Sequence, residues 1–131
     1  MKELFAAIYT RFAAEPHNAL YTALGGQFYN TQVPDGVSMP WGVFTLVSNI
    51  PQRTFDAEPI ENARIQISLF SDDIMSAIEI TNLYAYADAL FDCCELSISG
   101  HNHLIMERTF NQLLKEPDYW HYIIEYRVRY E

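Results

Sequence analysis

The alternation of apolar and polar side chains over residues 119–131, the clearest strand pattern in the chain, is the feature that most constrains the fold. Successive strand residues point to opposite faces of a sheet, so a two-residue period predicts a strand with one buried face. Packing in the core is the favoured interpretation of this aromatic face, and a subunit interface is the alternative, since Tyr, Trp and Arg are enriched at interfaces. The apolar positions are Trp120, Tyr122, Ile124, Tyr126, Val128 and Tyr130, and the polar positions include His121, Glu125, Arg127 and Arg129.

Other segments also have strand character. Ala63 to Phe70 alternates in the same way, with Ile65 and Ile67 on the apolar side. The β-branched and aromatic stretch from Trp41 to Asn49 predicts a buried strand. Three shorter or less regular segments are predicted as strands too: Gln27 to Thr31, Glu95 to Ser99 and Leu104 to Leu114.

Helical spacing is found in three places. Apolar residues recur with a helical period from Lys2 to Ala14, and a short helix from His17 to Leu24 is expected to stop at Gly25-Gly26. A third helix is predicted from about Asp73 to Cys93, with Ser71, Asp72 and Asp73 as N-cap candidates. Consecutive strands on both sides of this helix predict a single α+β domain over residues 1–131, with an antiparallel or mixed sheet and the helices packed on one face.

Composition excludes several classes of protein. Half of the 131 residues are hydrophobic, which is too many for a disordered chain, yet no apolar run reaches the length of a membrane-spanning helix. The first residues lack a basic n-region, so we expect structure there and no signal peptide. A net charge of −9 argues against sequence-specific nucleic-acid binding. Cys93 and Cys94, as adjacent free thiols, indicate a reducing cytoplasm.

No pattern of catalytic residues stands out. His101 and His103 could share a metal ion if they lay on one strand, but no third ligand is apparent, and a polar turn is the simpler interpretation. Cys94 is predicted to be a structural thiol, and the pair Asp88 and Asp92 to lie on a solvated helix face. No phosphate-binding loop or nucleophile elbow is present. The sequence therefore predicts no enzyme activity, no cofactor and no metal.

The remaining candidates are interaction residues. The acidic, proline-containing segment from Ile50 to Asn62 is predicted to be a long loop, and such loops in small domains are often functional. A solvated loop is the default interpretation. As a docking arm, the segment would contribute to contacts with other subunits or with a partner protein, together with the two arginines of the last strand. The candidate interface residues are Ile50, Arg53, Phe55, Glu58, Arg127 and Arg129.

Several segments together resemble a known family. Their order and spacing, over nearly the whole chain, are similar to those of small phage tail completion proteins, the tail terminators of long non-contractile tails. The segments are Gly25-Gly26-Gln27-Phe28-Tyr29, Val33-Pro34-Asp35-Gly36, Met39-Pro40-Trp41-Gly42-Val43-Phe44, Ala63 to Ser71, Ala87-Asp88-Ala89-Leu90-Phe91-Asp92, and Gly100 before the last two strands.

The resemblance implies a structural role. It implies a ring, typically a hexamer, that caps the tail tube, ends tube polymerisation and presents a surface for head joining. The implied partners are further copies of the chain, the tail tube protein and a head completion or connector protein, with DNA passing through the ring and no membrane. The implied location is the host cytoplasm during assembly and then the head-proximal end of the tail in the virion.

Two other classes remain open on sequence grounds. One is a small-molecule binding module or minor enzyme that uses the aromatic face of the last strand, with Asp88 or His103 as its polar group. The other is an adaptor that forms dimers by pairing of sheet edges.

Overall fold

The computed structural model describes residues 2–53 and 59–131. In these residues a five-stranded sheet with the order β1-β2-β3-β5-β4 is covered on one face by helices. The predicted α+β architecture, with a mixed sheet and the helices on one side, is confirmed. The elements are α1 (Lys2–Ala13), α2 (Ala19–Leu24), β1 (Phe28–Asn30), β2 (Trp41–Asn49), β3 (Glu61–Ser71), α3 (Ile78–Phe91), β4 (His103–Lys115) and β5 (Trp120–Tyr130).

The middle of the sheet is antiparallel and regular. β3 pairs with β5 without interruption, from Glu61 opposite Tyr130 to Ser71 opposite Trp120. β2 and β4 flank this pair, and each shows a register shift. The short strand β1 is the parallel one, and it pairs with the beginning of β2. The two strands with the clearest alternation in the sequence thus lie side by side in the sheet.

The hydrophobic core lies between the sheet and the helices. Ile65, Ile67 and Leu69 of β3 are fully buried there. From β5, the aromatic face contributes Tyr126 and Tyr130, which are also buried, so the core interpretation of that face is confirmed. The helices complete the core with apolar residues of all three: Leu4, Ala7, Ile8, Phe12, Leu20, Leu24, Ile80, Leu83, Ala87 and Phe91.

A stack of aromatic rings fixes the junction of α1, β1 and β2. The Phe28 ring lies 4.6 Å from that of Phe12 and 4.8 Å from that of Phe44, measured between centroids. Gly42 lies beside this stack, and a Cβ atom there would come within 2.7 Å of the Phe28 ring. A glycine at this position lets strand and ring approach each other closely.

One predicted strand and the predicted start of one helix are wrong. Residues 95–99 form no strand, although Leu96 and Ile98 are buried while Glu95 and Ser97 are exposed. The alternation was real, but the segment packs on the core without a neighbouring strand to pair with. The third helix starts later than predicted, at Ile78 after the N-cap residue Ala77, and its first backbone amide, that of Ile78, donates to the Ser76 hydroxyl at 3.2 Å. Ser71, one of the predicted caps, instead ends β3, and its hydroxyl donates to Glu79 at 2.7 Å.

The predicted long loop is also shorter than expected. Asn62 already belongs to β3, and an antiparallel bridge joins Gln52 and Ile60 beyond the sheet. The backbone amide of Ile50 donates to the carbonyl of Asn62 at 2.9 Å. We call the described part of this extension, residues 50–53 and 59–60, the arm.

In the described part of the chain, no helix is long and apolar enough to span a membrane.

Candidate interaction surface

The paired carboxylates of α3 hold strands together. Asp88 accepts a hydrogen bond from the Tyr126 hydroxyl at 3.2 Å and an ion pair from Arg108 Nη1 at 2.8 Å. Asp92 accepts from the backbone amide of Arg108 at 2.9 Å. Burial, with Asp88 beside it, raises the pKa of Tyr126, so its hydroxyl stays protonated and donating. These carboxylates are thus structural links to β4 and β5, and the prediction of a solvated helix face is wrong.

The two cysteines have the protonated character expected of structural thiols. The carboxylate of Asp92 raises the pKa of the exposed Cys93 thiol. Burial raises the pKa of Cys94, whose sulfur lies 3.5 Å from the sulfur of Met106. Because the thiolate is the nucleophilic form, neither residue has the environment of a catalytic cysteine.

The two histidines considered as metal ligands, His101 and His103, lie near the end of the sheet where β4 begins and β5 ends. The His101 ring meets the Tyr130 ring edge-on at 5.1 Å, and His103 begins β4 opposite Tyr130. Gly100 lies in a turn just before them. Within residues 2–53 and 59–131, no group of three or more His, Cys, Asp or Glu side chains is placed to hold a metal ion.

In the part of the chain that the structure describes, the aromatic face of β5 is occupied by packing contacts. Tyr126 and Tyr130 are buried against the helices, and Tyr122 stacks on Tyr84 with 4.4 Å between ring centroids. Asp88, the polar group suggested for a small-molecule site there, is occupied by Arg108 and Tyr126. The aromatic side chains therefore serve packing.

Four of the six predicted interface residues can be placed. Ile50 and Arg53 belong to the arm, where both are exposed. Arg129 Nη2 donates to Gln52 Oε1 at 2.9 Å, which ties the end of β5 to the arm. Arg127 pairs with Glu107 of β4. The structure thus brings the arm and Arg129 together, while Phe55 and Glu58 lie outside the described residues.

A cleft of about 460 Å³ opens on the face of the sheet away from the helices. Trp41, Phe70 and Tyr119 are its aromatic residues. Gln66 and Ser68 also line it, and the side-chain amide of Gln66 donates to the Ser68 hydroxyl at 3.0 Å. We call it the outer-face cleft. Its other lining residues are Thr31, Val33, Met39, Val43 and Thr45.

Close to the cleft in the sequence, exposed acidic residues outnumber basic ones. Asp35, Asp72 and Asp118 are exposed, and each lies within two residues of a lining residue, as does the exposed Arg64. Lys and Arg are absent from the lining residues that the structure describes. Beside the cleft the His121 ring stacks on Phe70 at 4.3 Å, and burial lowers the pKa of His121, which keeps the imidazole neutral near pH 7.

The outer-face cleft was not predicted from the sequence. Its lining comes from the segment before β2, from β2, from β3 and from the residue before β5, so its members lie up to 88 positions apart (119 − 31 = 88). The one available signal was the second face of the two alternating strands. Trp41, Val43 and Thr45, like Gln66, Ser68 and Phe70, follow a two-residue period on the side away from the core.

The same fold occurs in other proteins of known structure. No protein-family model and no curated protein sequence matches this chain. Among solved structures, it is similar to a chain from the "Virion of native gene transfer agent (GTA) particle", with a TM-score of 0.79 and 17% identity over 98% of this chain and 94% of that one. A second solved chain matches with a TM-score of 0.65 and 12% identity over 99% and 94%. At these identities the likeness establishes a shared fold.

Proposed function

We propose that this chain is a structural subunit of a phage-like particle, and that it acts as a tail terminator. In this role, copies form a closed ring on the end of the tail tube, stop tube polymerisation and present the surface to which the head is joined. The observation that carries the proposal is the likeness to a virion chain over 98% of this chain and 94% of that one. Coverage this complete relates two whole domains, not a shared motif.

The arrangement of side chains supports a role without chemistry. The titratable groups that resemble a catalytic set, Asp88 and Asp92, are engaged in contacts between α3 and the sheet. Among the features that the described surface offers to partners are an exposed arm at one end of the sheet and a cleft on the face away from the helices. Two different patches on one subunit are the requirement for a head-to-tail ring.

The proposal is tested by assembly on tubes. Purified chain is mixed with polymerised tail tube protein from the same particle and imaged by negative stain, and its mass alone is measured by light scattering. We expect rings on tube ends and tubes that no longer elongate. Tubes of an unrelated phage serve as the control and should stay uncapped. Cognate tubes that keep growing with bare ends would rule out the terminator role.

A further inference from the structure

We infer that the arm of one copy docks into the outer-face cleft of the next copy. The inference rests on the proposed ring and names the contact that closes it. The occupant is a second copy of this chain, because the arm, at one end of the sheet, and the cleft, on the face away from the helices, are chemically complementary.

The positions of the two patches favour contact between copies over contact within one copy. β2 starts in the cleft at Trp41 and reaches the arm after Asn49. At a rise of about 3.3 Å per residue, the four steps from Thr45, the last residue of this strand in the cleft, to Asn49 separate the cleft from the arm by roughly 13 Å. The arm continues the β2–β3 ladder away from the cleft through the bridge of Gln52 and Ile60. An arm that extends away from its own cleft remains available to the cleft of a second copy.

The arm presents an apolar side chain and a cation. Ile50 is 66% exposed, although it follows directly on a strand of the sheet. Arg53 is exposed, and no hydrogen bond or ion pair engages it within the described ranges. The hydrogen bond from Arg129 to Gln52 holds the base of the arm, which lowers the entropy lost on docking.

The cleft offers the matching features. Its aromatic and aliphatic lining, with Trp41, Phe70 and Tyr119, suits an isoleucine side chain. Asp35, Asp72 and Asp118, next to lining residues in the sequence, supply carboxylates that would attract a guanidinium group, and the lining includes the aromatic residues Trp41 and Tyr119, a residue type with which guanidinium groups interact.

The apolar half of the contact is tested with matched isoleucines. Ile50→Ser is compared with Ile78→Ser, since these side chains are 66% and 69% exposed and Ile78 lies in neither patch. Self-association is followed by sedimentation equilibrium over a range of concentrations. We expect Ile50→Ser to weaken association by roughly tenfold, and Ile78→Ser to leave it unchanged. Equal association of both variants and the wild type would overturn the contact.

The polar half is tested by exchanging charges. Arg53→Glu and Asp118→Lys should each weaken association about threefold to tenfold at low salt, and the double variant should recover most of the loss. Lys2→Glu and Glu95→Lys, both exposed and outside the two patches, are the controls. A double variant as weak as the sum of its single changes would contradict direct pairing of the arm with the rim of the cleft.

Failure of this contact and failure of the proposed function give different results. If Ile50→Ser and Arg53→Glu still form caps on cognate tubes with the wild-type yield, the terminator role stands and the arm contact is wrong. If the wild type remains monomeric at the highest attainable concentration and does not cap tubes, both are wrong. Wild-type caps that Ile50→Ser abolishes and Ile78→Ser retains would support both.

Discussion

The two faces of the sheet are built from the same strands but differ in how their side chains are packed: one is covered by helices and the other lines an open cleft. Toward the helices, β3 presents Ile65, Ile67 and Leu69, all without exposed surface. Toward the other side, the same strand presents Gln66, Ser68 and Phe70, which line a cleft together with residues from distant segments. Protein interiors are close-packed, so the inner face tolerates few changes, whereas the outer face can vary and bind. We therefore expect the inner face to determine stability and the outer face to be available for the proposed contact.

The largest expected effect is on the free energy of unfolding, and it compares one substitution on each face of the sheet. Ile67→Ala removes buried side-chain volume from the inner face of β3 and should lower the free energy of unfolding by about 2–5 kcal/mol. Ile123→Ala makes the same chemical change on the outer face of β5, where the side chain is half-buried, and should lower it by about 1 kcal/mol or less. Urea unfolding of both variants measures the gap. Equal losses would show that the outer face is packed as tightly as the core.

Much of the inner face could be predicted from the sequence, because its signal is local. The two-residue period of residues 63–70 and 120–130 already determines which side chains share a face. Those segments appear as β3 and β5, with boundaries within two residues of the prediction. Gly25-Gly26 likewise marks the end of α2 correctly, since Gly25 adopts the left-handed conformation of a helix C-cap.

Other features could not be predicted because they depend on which segments meet. Glu95 to Ser99 has a strand-like pattern, but only a partner strand turns such a segment into part of a sheet. Asp88 and Asp92 have the spacing of a solvated helix face, and only the fold brings Arg108 and Tyr126 to them. The outer-face cleft is assembled in the same way from distant segments. Long-range contacts of this kind leave no local trace in the sequence.

An intermediate effect on the free energy of unfolding is expected from Asp88, the carboxylate of α3 that bonds Tyr126 and Arg108 of the sheet. Asp88→Ala deprives the buried Tyr126 hydroxyl of its acceptor and Arg108 of its ion pair, and should cost about 1–3 kcal/mol of unfolding free energy. In a Tyr126→Phe background the same change should cost less, because no hydroxyl is then left unpaired. Glu95→Ala, at an exposed site, is the control. An Asp88→Ala cost that is identical in both backgrounds would show that the hydroxyl does not depend on this carboxylate.

The smallest expected effect concerns a polar group that stacks on the outer face. Burial lowers the pKa of His121 below that of an unfolded chain, while Glu116 acts in the opposite direction. The folded state therefore favours the neutral imidazole, and the Nε2 atom has no hydrogen-bond partner within the described residues. The contribution to stability is fully present above the unfolded pKa of about 6.5 and is lost as the pH falls toward the folded value.

His121→Phe tests this linkage, since it keeps a ring beside Phe70 and removes the titration. Unfolding free energies of wild type and variant are compared from pH 7.5 to pH 5. We expect the wild type to lose stability relative to the variant as the pH falls, by an amount smaller than the effects of Ile67→Ala and Asp88→Ala. Parallel pH profiles would show that the imidazole is solvated well enough to take up a proton freely, and that the outer face excludes water less than the stacking of His121 on Phe70 indicates.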